Sequence, residues 1–199
     1  MTNDLPIFQD TRQALHVSYL IHSLPSTQKS PTQAVIERLV KESSVWDYDN
    51  EAPVKASRTV NFGGLTPMEV RAQCAQVVSM VGNMGNPAES AAIKAVYGYQ
   101  VIKAEGVRYL AAYFEPLMPS IEGRTISREP VALYLAWHCM ATKVQREGIT
   151  LPWLAEKSGV SIATIERIKK DFNTRARAMF ERGIVALNQR FVDGGLVEA

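Results

Sequence analysis

Residues 151–172, LPWLAEKSGVSIATIERIKKDF, carry the pattern that decides the architecture of this chain. Ala155, Gly159, Val160, Ile165 and Ile168 stand where a helix-turn-helix needs a small residue, a turn glycine and apolar packing residues. Leu154 adds a core position just before them. A small residue at Ala155 lets two helices cross closely. Gly159 ends the first helix, because glycine adopts a positive φ without steric cost. Ser161 then caps the second helix by accepting from a free backbone N–H. The opposite face of that second helix, with Ile162, Ala163, Glu166, Arg167, Lys169 and Lys170, suits a DNA major groove. A helix pair that merely packs is the other reading of the same spacing.

On the DNA-binding reading, Ser161, Ile162, Ala163, Glu166, Arg167 and Lys170 reach base edges. Arg167 bridges guanine O6 and N7 as a bidentate donor, Glu166 accepts from a cytosine amino group, and Ile162 and Ala163 meet thymine methyls. Thr150, Lys169, Arg175 and Arg177 are placed for phosphates, which set register without carrying sequence. Glu166 has a competing intrahelical role, as the partner of Lys169 or Lys170.

Charge supports this placement more by distribution than by total. The 199-residue chain has a net charge of +2, too small to imply a polyanionic partner by itself. Between Lys143 and Arg190 there are ten Lys/Arg against five Asp/Glu, whereas residues 1–142 hold twelve against thirteen. A basic carboxy-terminal segment on a near-neutral body marks where phosphate would be met. The 46% hydrophobic content is enough for a proper core. Cys74 and Cys139 lie far apart in helical patterns and read as small core residues of a reducing compartment.

Other function classes find no support. MTNDLPIFQD has acids and a proline where a signal peptide needs basic and then apolar residues, and no apolar run is long enough to span a bilayer. The expectation is a cytoplasmic protein without membrane contact. His16 and His22 fall on different sides of a helix, and His138 and Cys139 are adjacent, so no metal site is expected. No phosphate-cradling loop, dinucleotide glycine pattern or nucleophile elbow occurs, so neither an enzyme nor a cofactor is expected.

Proline-marked caps punctuate the rest. Ser30-Pro31-Thr32-Gln33 opens a helix to about Glu42, Thr66-Pro67-Met68-Glu69 opens another, and Asn86-Pro87-Ala88-Glu89 a third that stops at Gly98. Capping accounts for both Glu69 and Glu89 on this reading. An earlier helix covers Thr11 to Leu24. Residues 43–64 have no helical period and read as an exposed connection, with Thr59–Phe62 as a short strand lacking a partner. A second break spans Pro116 to Arg128, and the helix after it, carrying Val131 and Leu135 and extending to Val144, completes a tri-helical unit with the motif. Apolar residues then recur from Ile165 to Phe191 at steps of three and four. They form either one long helix or two joined near Asn173, and their stripe faces either the chain's own core or a second copy.

Two resemblances bear on this pattern. Thr66 to Gly98 has a capped helix, a short turn with proline, and then Ala92-Ile93-Lys94-Ala95-Val96-Tyr97-Gly98. It resembles the first half of region-four-like domains of sigma factors. In that family a helix-turn-helix follows, which the resemblance places at Val101 to Phe114 with Gly106-Val107 as its turn. From Leu65 to Ala199, on Ser158–Phe172 (SGVSIATIERIKKDF) and Ala186–Ala199 (ALNQRFVDGGLVEA), the chain resembles proteins of temperate phages and prophages of proteobacteria. Such proteins are loosely described as late-gene regulators or antiterminators, which implies a regulator linked to host RNA polymerase. The zinc-binding loop of one antiterminator branch is absent.

The expectation is therefore an all-α helical bundle with a carboxy-terminal tri-helical helix-turn-helix unit and a long final helix. Its segments are an amino-terminal helical region and linker (1–64), a central helical region (65–122) and the DNA-binding domain (123–199). Double-stranded DNA, RNA polymerase and a second copy of the chain are the partners to be weighed. A phage DNA-packaging adaptor, or a polymerase-binding interaction module, is the alternative.

Overall fold

The computed structural model describes residues 6–24, 44–46, 53–55, 60, 62, 65–118, 128–142, 144–148 and 150–198. The fold is all-α. Its helices are α1 (Thr11–Ser23), α2 (Pro67–Gly82), α3 (Pro87–Tyr97), α4 (Gln100–Phe114), α5 (Arg128–Met140), α6 (Leu151–Ser158) and α7 (Ile162–Asp193). Single 3-10 turns follow α4 at Glu115–Leu117 and α5 at Val144–Arg146. No helix among the described residues is long and apolar enough to cross a membrane.

The chain divides into two compact units, Met1–Gly82 with Ile184–Ala199, and Asn83–Gly183. The segment resembling sigma factors is split between them, and α7 contributes to both.

In the first unit α1 is buried nearly all round. Asp10 caps it by accepting from Gln13 N at 2.8 Å, and Ala14, Leu15, Tyr19 and Ile21 are almost inaccessible. It packs on α2, whose capping box forms as expected: Thr66 Oγ1 accepts from Glu69 N, and Glu69 Oε2 accepts from Thr66 N at 2.7 Å. The Thr66 hydroxyl, donating to Glu69 Oε2 at 2.7 Å, and then the Thr66 N–H hold the Glu69 carboxyl below its ordinary value. The chain ends are tied together here. Phe8 N donates to Leu196 O at 3.0 Å, Thr11 Oγ1 donates to Asn188 Oδ1 at 2.8 Å, and Arg190 Nη1 donates to Met80 O at the end of α2. The 43–64 connection contains a short antiparallel ladder, β1 (Ser44–Trp46) with β2 (Pro53–Lys55), that sequence reading did not anticipate. Of the suggested Thr59–Phe62 strand, Val60 and Phe62 are irregular, and Thr59 and Asn61 lie outside the described residues, as does the helix expected at 30–42.

In the second unit α4 packs between α3 and α5. Asn86 caps α3 by accepting from Ala88 N at 3.0 Å, with Pro87 in the first turn. Ala88, Ala91, Ala92 and Ala95 are buried, leaving room for close approach at Gly106. A Cβ there would lie 2.6 Å from Ala91 O and from Ala95 N. Gly106 therefore sits inside an uninterrupted helix, and the helix-turn-helix that the sigma-factor resemblance places at Val101–Phe114 has no turn. Glu89 is likewise not a capping residue: it is buried and accepts from Arg182 Nε at 3.0 Å.

The long apolar spacing resolves as one helix, α7, without a joint at Asn173. Ile165, Ile168, Phe172, Ala176, Phe180, Leu187 and Phe191 are all buried within the chain. Phe172 lies 4.4 Å, ring to ring, from Phe114, and Phe180 lies 5.9 Å from Tyr97. The stripe is thus used inside the chain. The helix completing the tri-helical unit ends at Met140, and Val144 belongs to the separate 3-10 turn, where it is exposed.

Candidate nucleic-acid interface

The helix-turn-helix forms with the local chemistry expected of it. Thr150 caps α6 by accepting from Trp153 N at 3.4 Å, and α6 stops at Ser158 because Gly159 turns into the left-handed region, φ 65° and ψ 18°. Ser161 Oγ accepts from Thr164 N at 3.2 Å, while its carbonyl accepts from Ile165 N. Leu154, Val160, Ile165, Ile168 and Phe172 are buried, whereas Ala155 is only half-buried. The helix α5 packs on α6, and His138 of α5 meets Lys169 of α7, completing three helices around the turn.

The residues singled out for base edges share one outward face. Ser161, Ile162, Ala163, Glu166, Arg167 and Lys170 are all exposed. Among the described residues, neither Arg167 nor Lys170 is held by an acid. Glu166 forms no ion pair there either, so its intrahelical role with a lysine is not realised. Arg167 also borders a cavity of about 310 Å³ floored by Phe114, Met118, Ile168 and Phe172.

The expected phosphate contacts are less uniform. Thr150 is exposed, its oxygen engaged as a cap while its hydroxyl proton stays available. Lys169 is half-buried and turned toward α5, its Nζ 3.4 Å from His138 Nε2. Arg175 is exposed but paired with Asp171 one turn back, Nε to Oδ2 at 2.9 Å. Such an exposed pair contributes little and exchanges readily for phosphate. Arg177 is exposed and has an internal interaction of its own.

Sequence reading missed two features. Trp153, on the first turn of α6, is 47% exposed, so its indole N–H is a donor beside the motif. Arg146 ends the 3-10 turn, with its Nε buried and without a hydrogen-bond partner. The tryptophan directly after Pro152 was a signal for the first. Nothing local marked the second, which depends on how α5 and α7 converge.

Histidine chemistry sharpens the picture. Burial, then the charges of Lys169 and Arg146, push the pKa of His138 down to about 4. The imidazole is therefore neutral at pH 7, and its Nε2 accepts from the Lys169 ammonium. In the unfolded chain His138 takes up a proton near pH 6.5 that the native state refuses until about pH 4. Stability linked to this group is full above 6.5 and falls as pH drops from there to 4. Urea unfolding of wild type and His138→Gln across that window should show the wild type losing more stability. Parallel curves would contradict the assignment.

The cysteines are buried free thiols, and burial raises Cys74 to about 11 and Cys139 to about 12. No group of three or more His, Cys, Asp or Glu among the described residues is placed to hold a metal ion. Models of known protein families match nothing in this chain, and no curated protein is significantly similar to it.

Proposed function

We propose that the chain is a sequence-specific binder of double-stranded DNA that regulates transcription, with the first turns of α7 entering the major groove. One observation carries the reading. A left-handed glycine turn joins a short capped helix to a second capped helix that buries Ile165, Ile168 and Phe172 while exposing Ser161, Ile162, Ala163, Glu166, Arg167 and Lys170. An unpaired guanidinium on such a face suits bidentate contact with guanine. The resemblance to phage-encoded late-gene regulators extends the proposal to control of host RNA polymerase at phage genes.

The test is selection of a preferred duplex from a randomised pool, followed by Arg167→Ala. The variant should lose about 1–3 kcal/mol at one base position and little elsewhere. Equal affinity of wild type and variant for every duplex would refute base reading by this face.

A further inference from the structure

Three nitrogen-bearing side chains from separate elements converge near Cys139. His138 lies in the last turn of α5, Arg146 ends the 3-10 turn, and Lys169 comes from α7. Lys169 Nζ lies 3.4 Å from His138 Nε2. Arg146 Nε is buried with no acceptor, although the protein interior rarely leaves such a donor unpaired. Both cations act on the His138 imidazole and on the Cys139 thiol. Neither has an acidic partner among the described residues. All three residues are partly exposed, although Arg146 Nε itself is buried. Two cations, one of them with an orphaned guanidinium donor, beside a neutral imidazole describe a place missing an anion.

We infer that Arg146, Lys169 and His138 form a site for one phosphate group, supplied by the backbone of the duplex that α7 engages. This rests on the DNA-binding reading. Two cationic donors from separate elements, Arg146 and Lys169, beside an imidazole that can follow the charge between them, suit a phosphate group. Lys169 stands beside the outward face of Glu166, Arg167 and Lys170, on the flank where a helix lying in the groove meets the backbone. The groups facing His138 are Arg146, Lys169 and the Tyr134 ring, whose centroid lies 5.7 Å away. From α4, Lys103 reaches the Trp137 ring and Met140 O. A phosphate offsets one of the two positive charges facing His138, so the pH at which the imidazole titrates rises on binding while burial still holds it low.

The experiment follows the His138 imidazole signals of the full chain by NMR while inorganic phosphate or a short duplex is added. Salt-dependent duplex affinities of Arg146→Gln, Lys169→Gln and Lys169→Arg accompany it. The duplex should move the His138 signals and raise the pH at which they titrate. Each Gln variant should bind all duplexes more weakly by a similar factor and lower the salt slope by about 1, and Lys169→Arg should restore it. A duplex that binds with His138 unmoved and all slopes unchanged overturns the site and leaves the DNA reading intact. If no duplex binds but inorganic phosphate moves His138, the phosphate site stands and the DNA source falls. Silence toward both overturns both.

Discussion

Gly106→Val should destabilise the protein by about 3 kcal/mol and lower its melting temperature by roughly 6–12 °C. The added Cβ would meet Ala91 O and Ala95 N at 2.6 Å, and both are backbone atoms that no rotamer change can move aside. Only separation of α3 from α4 relieves the clash, and that opens the packing around Ala92, Val107 and Leu110. Replacing a helical glycine brings back less than about 1 kcal/mol of propensity, too little to offset the overlap. Gly106→Ala should show the same effect at smaller size. An unchanged melting temperature for the valine variant would contradict the close approach of the two helices.

Lys103→Ala should cost a similar amount, about 3 kcal/mol, for a different reason. Lys103 is 5% exposed, and its ammonium donates to Ala95 O at 2.7 Å and Met140 O at 3.2 Å, carbonyls at the ends of α3 and α5. One side chain thus satisfies acceptors that both helices leave unpaired. Burial pushes its pKa down to about 8, so the site disfavours the charge yet keeps it at neutral pH. Alanine removes the stem and the donors together, whereas Lys103→Met keeps most of the volume. Denaturant unfolding should rank wild type above Met and Met above Ala. An alanine variant as stable as wild type would show that the two carbonyls find other donors.

These two residues show where sequence stops being legible. The helix-turn-helix at 151–172 could be read because its causes are local: a left-handed glycine, a serine cap and an apolar repeat lie within a few turns. The capping box at Thr66–Glu69 was legible for the same reason. Gly106 was not, because a glycine used for space looks the same in sequence as one used for a turn, and only the alanines of α3 reveal which applies. Glu89 followed a proline cap and read as part of it, but its partner Arg182 is 93 positions away. Lys103 stood in the apolar row of Val107, Leu110 and Phe114, a misplaced charge that was the one available hint of a buried role. Of the candidate interface, the residues proposed for base contact are exposed as their helical period implied. The phosphate set diverged where side chains found partners first: Asp171 for Arg175 and His138 for Lys169.

The exposed face of the first turns of α7 is proposed to lie against a duplex. Amide chemical-shift mapping of the intact chain at low salt, with the selected duplex added stepwise, tests it most directly. Signals from residues 150–153 and 161–170 should move first and furthest, and the shifts should weaken steeply as salt rises. Shifts confined to other residues, or none at any duplex concentration at low salt, would contradict it.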